Sequence, residues 1–280
     1  MPTLPPEQPG PAPTETPSPE TPHRARAIAE SFGVDAPRYD RTRPPYPAAL
    51  IERIRTTAPG GAILDVGTGT GIVARQFRDL GCTVLGVEPD ARMAEFARST
   101  GIETEVATFE TWAPGDRRFD AVVSGTAWHW VDPAAGAAQA GRVLRPGGLL
   151  APFNHVFQLP PEVAERVQAV YRRVIPDSPF LDQPTRPTVD LYRAFFDRAA
   201  EGMRASGAFE EPRQWQFEWQ RDYTRDEWLD QLPTTGMFTR LEPDRLAEIL
   251  AGTGTVIDEL GGVFTMSYTT VAVAAIRKTD

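Results

Sequence analysis

Cysteine and histidine are scarce: Cys82 stands alone, and the three histidines at 23, 129 and 155 show no H-x-x-x-H spacing. A single thiol can form neither an intrachain disulfide nor a cysteine-based metal cluster, so the chain is expected to be cytoplasmic and metal-free. No apolar run approaches the length needed to cross a bilayer, and the amino terminus has neither the charged nor the apolar half of a signal peptide. A membrane partner is therefore not expected. Positive charge is also in deficit, with a formal net charge of −9. There is no basic run and no basic patch interleaved with aromatics, which argues against a nucleic-acid partner.

Proline is abundant at one end. Met1 to Pro22 carries nine prolines among Thr, Glu, Ser and Gly, a composition that cannot bury enough apolar surface to offset the entropy of ordering. Residues 1–22 are expected to form a disordered tail, with a proline-rich docking peptide as the functional alternative. The remainder, 23–280, is long enough for one substantial core and is expected to be one domain with an insertion.

The most informative stretch is Ile63 to Gly71, ILDVGTGTG, in which a short apolar strand with an embedded acid opens into a glycine-rich turn. Glycines at 67, 69 and 71 let the backbone turn tightly and approach a ligand while their N–H groups stay available. The following strand, CTVLGVEPD, ends in Glu88, seventeen residues past Gly71. A carboxylate there, at the carboxyl edge of a parallel sheet, can accept both hydroxyls of a ribose. The turn does not fit a dinucleotide fingerprint, because Ile72 occupies the last glycine position of G-x-G-x-x-G. Asp65 beside the turn would repel a pyrophosphate and suits an ammonium-bearing ligand.

Alternation of apolar runs with glycine stops predicts strands at 62–66, 83–88, 102–106, 119–124 and 149–157. Helices are predicted at 24–32, 47–57, 70–80, 90–100 and 132–144. Tyr39 to Pro47 reads as extended, pinned by Pro44, Pro45 and Pro47. The alternation implies a parallel sheet in an α/β fold. It breaks between about 160 and 235, where a substrate-covering insertion is expected. Val163, Val167, Val170, Tyr171 and Val174 mark one helix there, and Leu191, Phe195, Phe196 and Ala199 mark another. In QWQFEWQ, Trp215, Phe217 and Trp219 alternate with polar residues and share one strand face, expected to pack against the covering helices, with the lining of a hydrophobic substrate pocket as the alternative. Leu246 to Leu250 reads as helix, then Val256 to Leu260 and Val263 to Ile276 as two strands turned at Gly261-Gly262.

Taken in order, DVGTGTG, GVEPDARM, FDAVVSGTAWHWVD and RVLRPGGLL resemble the successive motifs of the class I S-adenosylmethionine (SAM) dependent methyltransferases. FGVDAPRYDRTRPPYP upstream, with LDQLPT and GGVFTMSYTTVAVAAIR downstream, is similar to the trans-aconitate-like, type 11 branch. The resemblance implies a Rossmann-like, seven-stranded, mostly parallel sheet with helices on both faces, antiparallel final strands and a helical lid. It also implies SAM as cofactor, S-adenosylhomocysteine as product and a small-molecule methyl acceptor, either a secondary metabolite or an organic acid.

By that resemblance Gly67, Thr68 and Gly69 would approach the methionine part and Asp65 its ammonium. Glu88 would hold the ribose, Pro89 and Met93 would cover the adenine, and Thr108 and Phe109 would meet its polar edge. Thr108 replaces the family's frequent aspartate. Ser124 and Gly125 would border the transferable methyl, and Tyr39 and Arg43 would fold over the cofactor. Ala127-Trp128-His129-Trp130 sets one imidazole between two indoles. A near-neutral pKa would make His129 a general base, with Trp128 and Trp130 on the substrate and His155 on the pocket floor. A loop-capping His129 with core indoles is the structural alternative. Two rival functions stay open: cyclisation or rearrangement without methyl transfer, and a non-catalytic SAM-binding scaffold.

Overall fold

The computed structural model describes residues 30–178, 181, 189–190 and 192–279. The expected tail at 1–22, His23, most of the helix expected at 24–32, and Leu191 lie outside the described residues. Glu30–Asp35 form a 3₁₀ run, followed by α1 (Ala36–Thr42) and α2 (Ala48–Thr57). The sheet then builds through β1 (Ala62–Val66), α3 (Ile72–Asp79), β2 (Thr83–Glu88), α4 (Ala91–Ser99), β3 (Glu103–Val106), β4 (Phe119–Gly125), α5 (Pro133–Val143) and β5 (Leu144–Gln158). The carboxyl-terminal part adds α6 (Pro161–Val174), α7 (Arg193–Ser206), β6 (Arg213–Thr224), α8 (Arg225–Gln231), α9 (Pro243–Glu259) and β7 (Val263–Ile276).

The seven strands form one sheet in the order β3-β2-β1-β4-β5-β7-β6. Strands β1 to β5 pair in parallel, whereas β7 runs antiparallel to both β5 and β6. Strand order reverses on either side of β1, which opens a crevice at the carboxyl ends of β1 and β4, where ligands of open α/β sheets bind. The period-two alternation of strand side chains assigns the two cores. Ile63, Ala121, Val123 and Leu149 face α2 and α3, packing with Leu50, Ile54 and Phe77. Leu64, Val122 and Leu150 face the other side, packing with Ala137 and Ala140 of α5 and Phe196 and Met203 of α7. A third cluster joins α6, α8 and α9 to Tyr223, Phe264, Met266 and Tyr268 of the antiparallel edge.

Local chemistry explains most boundaries. Asp132 caps α5 by accepting from the Ala134 and Ala135 N–H groups, with Pro133 at the first helical turn, a cap typically worth about 1 kcal/mol. Thr224 and Glu227 form a reciprocal capping box that turns β6 directly into α8.

Three expectations need correction. The extended segment begins only at Arg43, because Tyr39 to Thr42 belong to α1, whose first turn is capped by the Asp35 side chain accepting from the Arg38 N–H. Pro37 sits harmlessly in that first turn, and the restriction imposed by Pro44 puts the preceding Arg43 in the β region. Val256 to Leu260 is not a strand. Ile249, Thr253, Val256 and Ile257 recur at helical spacing and are buried on one face of α9, so packing overrides the strand preference of β-branched residues. The remaining strand comes instead from QWQFEWQ, which lies within the segment expected to cover the substrate but forms the edge strand of the main sheet. Trp215 and Phe217 pack on the α2 side of the sheet, and Arg53 lies 4.3 Å over the Trp215 ring. Trp219 packs with the α6, α8 and α9 cluster.

Candidate functional site

Two buried carboxyls stand at neighbouring strand ends. Glu88, the last residue of β2, accepts from the Gly69 N–H at 2.9 Å and the Asp90 N–H at 3.0 Å, one on each oxygen. Burial pushes its carboxyl up to about 7 against the lowering effect of those two donors. Asp65 in β1 accepts from the Thr68 hydroxyl at 2.6 Å on Oδ2, while Oδ1 is buried without a partner among the described residues. Burial likewise raises Asp65 to about 7; the Thr68 bond opposes the shift and the charge of Glu88 adds to it.

Between them runs the glycine turn. Gly67 has φ +66, and a Cβ there would stand 2.5 Å from the Ala127 side chain, so both conformation and space demand glycine. Gly69 has φ +55 and would meet nothing within 4 Å. Its constraint is conformational only, and open space lies above it.

The roof comes from distant sequence. Arg38 and Arg41 of α1 both reach Asp230 of α8, at 2.9 and 2.7 Å. Arg43 donates to the Thr234 carbonyl, lies 4.8 Å over the Tyr39 ring and leaves Nε buried without a partner among the described residues.

Beyond β4 the backbone is strained. Thr126 adopts φ +54, uncommon for a β-branched residue. It is held by its N–H donating to the Phe153 carbonyl at 2.7 Å and by a 2.7 Å hydroxyl contact with Tyr46. A 3₁₀ turn over Trp128–Trp130 follows. With three residues per turn, its two indoles point to different sides. Trp130 lines the large cavity, whereas Trp128 is buried against Phe109 and the close face of Gly136. His129 lies between Trp130 and Phe195, with ring centroids at 4.5 and 5.8 Å, not between two indoles. Desolvation, with the like charge of Arg198 added, lowers its pKa to about 4 rather than leaving it near neutral. Ser124 is fully buried and donates to the Val66 carbonyl at 2.8 Å. It ties β4 to β1 and does not face the cavity.

His155 stacks flat on Tyr46 at 4.2 Å and bonds Thr270 through Nδ1 at 2.9 Å. Burial, with a smaller effect from Arg43, lowers its pKa to about 3. Its Nε2 is unpartnered among the described residues, as are Arg43 Nε, Asp65 Oδ1, Thr70 Oγ1, Trp228 Nε1 and Gln231 Oε1. All six groups belong to residues lining one chamber of about 120 Å³ behind the glycine turn. Buried polar atoms are ordinarily paired, so this density of unpaired ones marks a place for a polar guest.

The chamber adjoins a cavity of about 990 Å³, near the upper end of the roughly 300–1,000 Å³ common for ligand pockets. The expected residues Tyr39, Arg43, Gly67, Gly69 and Glu88 line it, as do Pro89, Met93, Thr108, Phe109, Gly125, His129 and His155. Asp65 and Thr68 line the small chamber. Reading the sequence did not single out Phe32, Tyr46, Tyr171, Trp228 and Tyr268, which line one space or the other. Tyr171 and Trp228 fall within the expected lid, whereas Phe32, Tyr46 and Tyr268 lie far from it in sequence, and nothing local separates such residues from core. No helix among the described residues is long and apolar enough to cross a membrane.

The fold is a Rossmann-like α/β architecture with an acid-glycine crevice at the ends of β1 and β2. A family model described as a methyltransferase domain matches residues 64–151. Malonyl-[acyl-carrier protein] O-methyltransferase of Enterobacter lignolyticus is 30% identical over 191 residues, covering 66% of this chain and 71% of that protein. An uncharacterized methyltransferase of Mycobacterium tuberculosis is 37% identical over 127 residues, covering 45% of this chain and 52%, about half, of that relative. The solved structure of a putative type II methyltransferase from Anaeromyxobacter dehalogenans shares the fold, with TM-score 0.60, 23% identity and coverage of 85% of this chain and 99% of that one. The chain belongs to the class I methyltransferases and carries a type 11 methyltransferase domain.

Proposed function

We propose that this chain is a SAM-dependent methyltransferase acting on a small-molecule acceptor. The observation that carries the reading is the pair of desolvated carboxyls, Asp65 and Glu88, flanking an open glycine turn at the mouth of one large cavity. The residues present fit the cofactor. Buried Asp65 Oδ1 and Arg43 Nε, unpaired and of opposite charge, suit the ammonium and carboxylate of an amino acid. Glu88, already oriented by two backbone N–H groups, keeps acceptor capacity for ribose hydroxyls. Pro89, Met93 and Phe109 offer apolar faces to a purine, with Thr108 at its edge, while Tyr39 supports Arg43 from above.

When bound, SAM supplies an electrophilic methyl group on a positively charged sulfur. The chain's own task is then to position an acceptor atom about 3 Å from that methyl and exclude water. The roof of α1 on α8 and the walls from α6 and α7 serve that purpose. His129 is neutral at physiological pH and can accept a hydrogen bond or a proton from an acceptor hydroxyl, though burial makes it a weak base. Gly125 and Thr126 shape the wall beside it, and Ser124 holds the strand end in place.

The test is calorimetric titration with SAM and S-adenosylhomocysteine, followed by assay of S-adenosylhomocysteine release with an acceptor panel. Folded protein with no affinity for either ligand would sink the proposal. Affinity without release in the presence of any acceptor would favour a scaffold or a rearrangement enzyme. Similarity to the malonyl-[acyl-carrier protein] enzyme supports a second reading, in which the acceptor is a carboxylate presented by a carrier protein.

A further inference from the structure

We infer that the acceptor half of the large cavity receives an uncharged, ring-bearing, largely apolar molecule and not an acid, an inference that rests on the methyltransferase reading above. The cofactor-side residues occupy the strand ends. The rest of the wall comes from α6, α7 and the segment after α8, and there Val167, Tyr171, Phe195, Leu232, Met237 and Phe238 face the space. The rings come in crossed pairs: Tyr171 stands edge-on to Phe238 at 5.1 Å, and Tyr192 is tilted against Phe195 at 5.8 Å. Such pairs present both faces and edges, the two surfaces an aromatic guest packs against.

Apart from Arg198, the polar groups that line that half among the described residues are neutral. Gln168 and Asn154 line the cavity with amides, and Tyr171 and Tyr192 bring hydroxyls. These can fix the orientation of a hydroxyl or carbonyl without demanding charge. Two cations reach the cavity among the described residues, and both are engaged. Arg43 donates to the Thr234 carbonyl and lies over Tyr39. Arg198 donates to the Ala194 carbonyl at 3.0 Å and lies 5.1 Å over the Phe195 ring. The carboxylates Glu88 and Glu110 line the same space. An ionised acceptor would shed its hydration among aromatic rings, with Arg198 the one cation on that side among the described residues and two like charges in the same cavity, whereas an uncharged one gains from the apolar area it covers.

The experiment uses the full chain loaded with S-adenosylhomocysteine and titrated near neutral pH with 2-naphthol and 2-naphthoate, a matched neutral and ionised pair. Calorimetry gives both affinities, and emission of Trp130 and Trp228, which line the cavity, reports occupancy. Naphthol should bind at least about ten-fold more tightly than naphthoate, since burying an unpaired charge is the dominant cost. Phe195→Ala should weaken naphthol about ten-fold by removing aromatic contact area, with S-adenosylhomocysteine affinity unchanged. Phe195→Arg should reverse the preference toward naphthoate. Equal or tighter binding of naphthoate by the unmodified chain overturns the inference, as does naphthol binding that is absent or indifferent to Phe195→Ala. Failure of the chain to take up S-adenosylhomocysteine sinks the methyltransferase reading itself, so the two failures are distinguishable.

Discussion

The two halves of the large cavity are built on opposite electrostatic terms. On the side of β1, β2 and β4, carboxyls are buried at strand ends with backbone N–H groups or a hydroxyl as their only partners. On the side of α6, α7 and residues 232–238, the wall is aromatic and aliphatic, and its polar groups are mostly neutral. The first half carries uncompensated charge that a cationic, hydroxyl-rich ligand would relieve, and the second has none to relieve. The methyltransferase-domain match spans residues 64–151, which hold the carboxyls of the first half, while the similarity to the malonyl-[acyl-carrier protein] enzyme covers 66% of the chain.

Several measurements would break or sharpen that contrast. The largest expected effect is on turnover. If His129 takes the acceptor proton, His129→Ala should lower the rate about 10²–10⁴-fold while S-adenosylhomocysteine affinity stays unchanged; a rate within a few fold leaves the ring as a wall between Trp130 and Phe195. Next is cofactor affinity. Glu88→Ala removes an acceptor for buried hydroxyls and should weaken S-adenosylhomocysteine binding by about 1–3 kcal/mol, measured by calorimetry with circular dichroism to verify the fold.

A subtler effect concerns pH. Burial raises the folded-state pKa of Glu88 from 4.5 to about 7. Relative to the unfolded chain, its stabilising contribution is therefore fully present below the unfolded pKa and is lost as pH rises through about 7. The Tm of ligand-free Glu88→Gln relative to wild type should accordingly be higher at pH 8 than at pH 5, even though its amide NH2 loses one of the two backbone N–H bonds. An equal offset at both pH values would show that Glu88 is not desolvated. Smallest is the roof contact. Asp230→Asn weakens two partly exposed ion pairs and should cost no more than about 1 kcal/mol of stability, while speeding cofactor dissociation in stopped-flow if α1 must lift for exchange.

The cofactor side was legible because its signals are local. A glycine turn after an apolar strand, and an acid at the end of the next, each depend on a handful of consecutive residues, and Asp65, Gly67, Gly69 and Glu88 all lie within one short stretch. The acceptor side was not legible in the same way. Trp128 and Trp130 are two residues apart, yet only the 3₁₀ turn decides that one faces the cavity and the other the core. Val256 and Ile257 have the side chains of a strand and the burial spacing of a helix, and contact with the α6 and α8 cluster settles the matter. Arg38 and Asp230 meet across 192 positions of sequence, and no local pattern announces such a pair.

By itself the order of residues determined the alternation of strand and helix, the flexible acidic crevice at the ends of β1 and β2, and hence the kind of cofactor the crevice suits, because turn geometry and apolar periodicity act over a few residues. Only the tertiary structure decided which aromatics line the large cavity, how far Asp65, Glu88 and His129 depart from their ordinary ionisation, and that β6 closes the sheet's edge. Those properties arise from desolvation and packing among segments far apart in the chain, and they exist only once the segments have met.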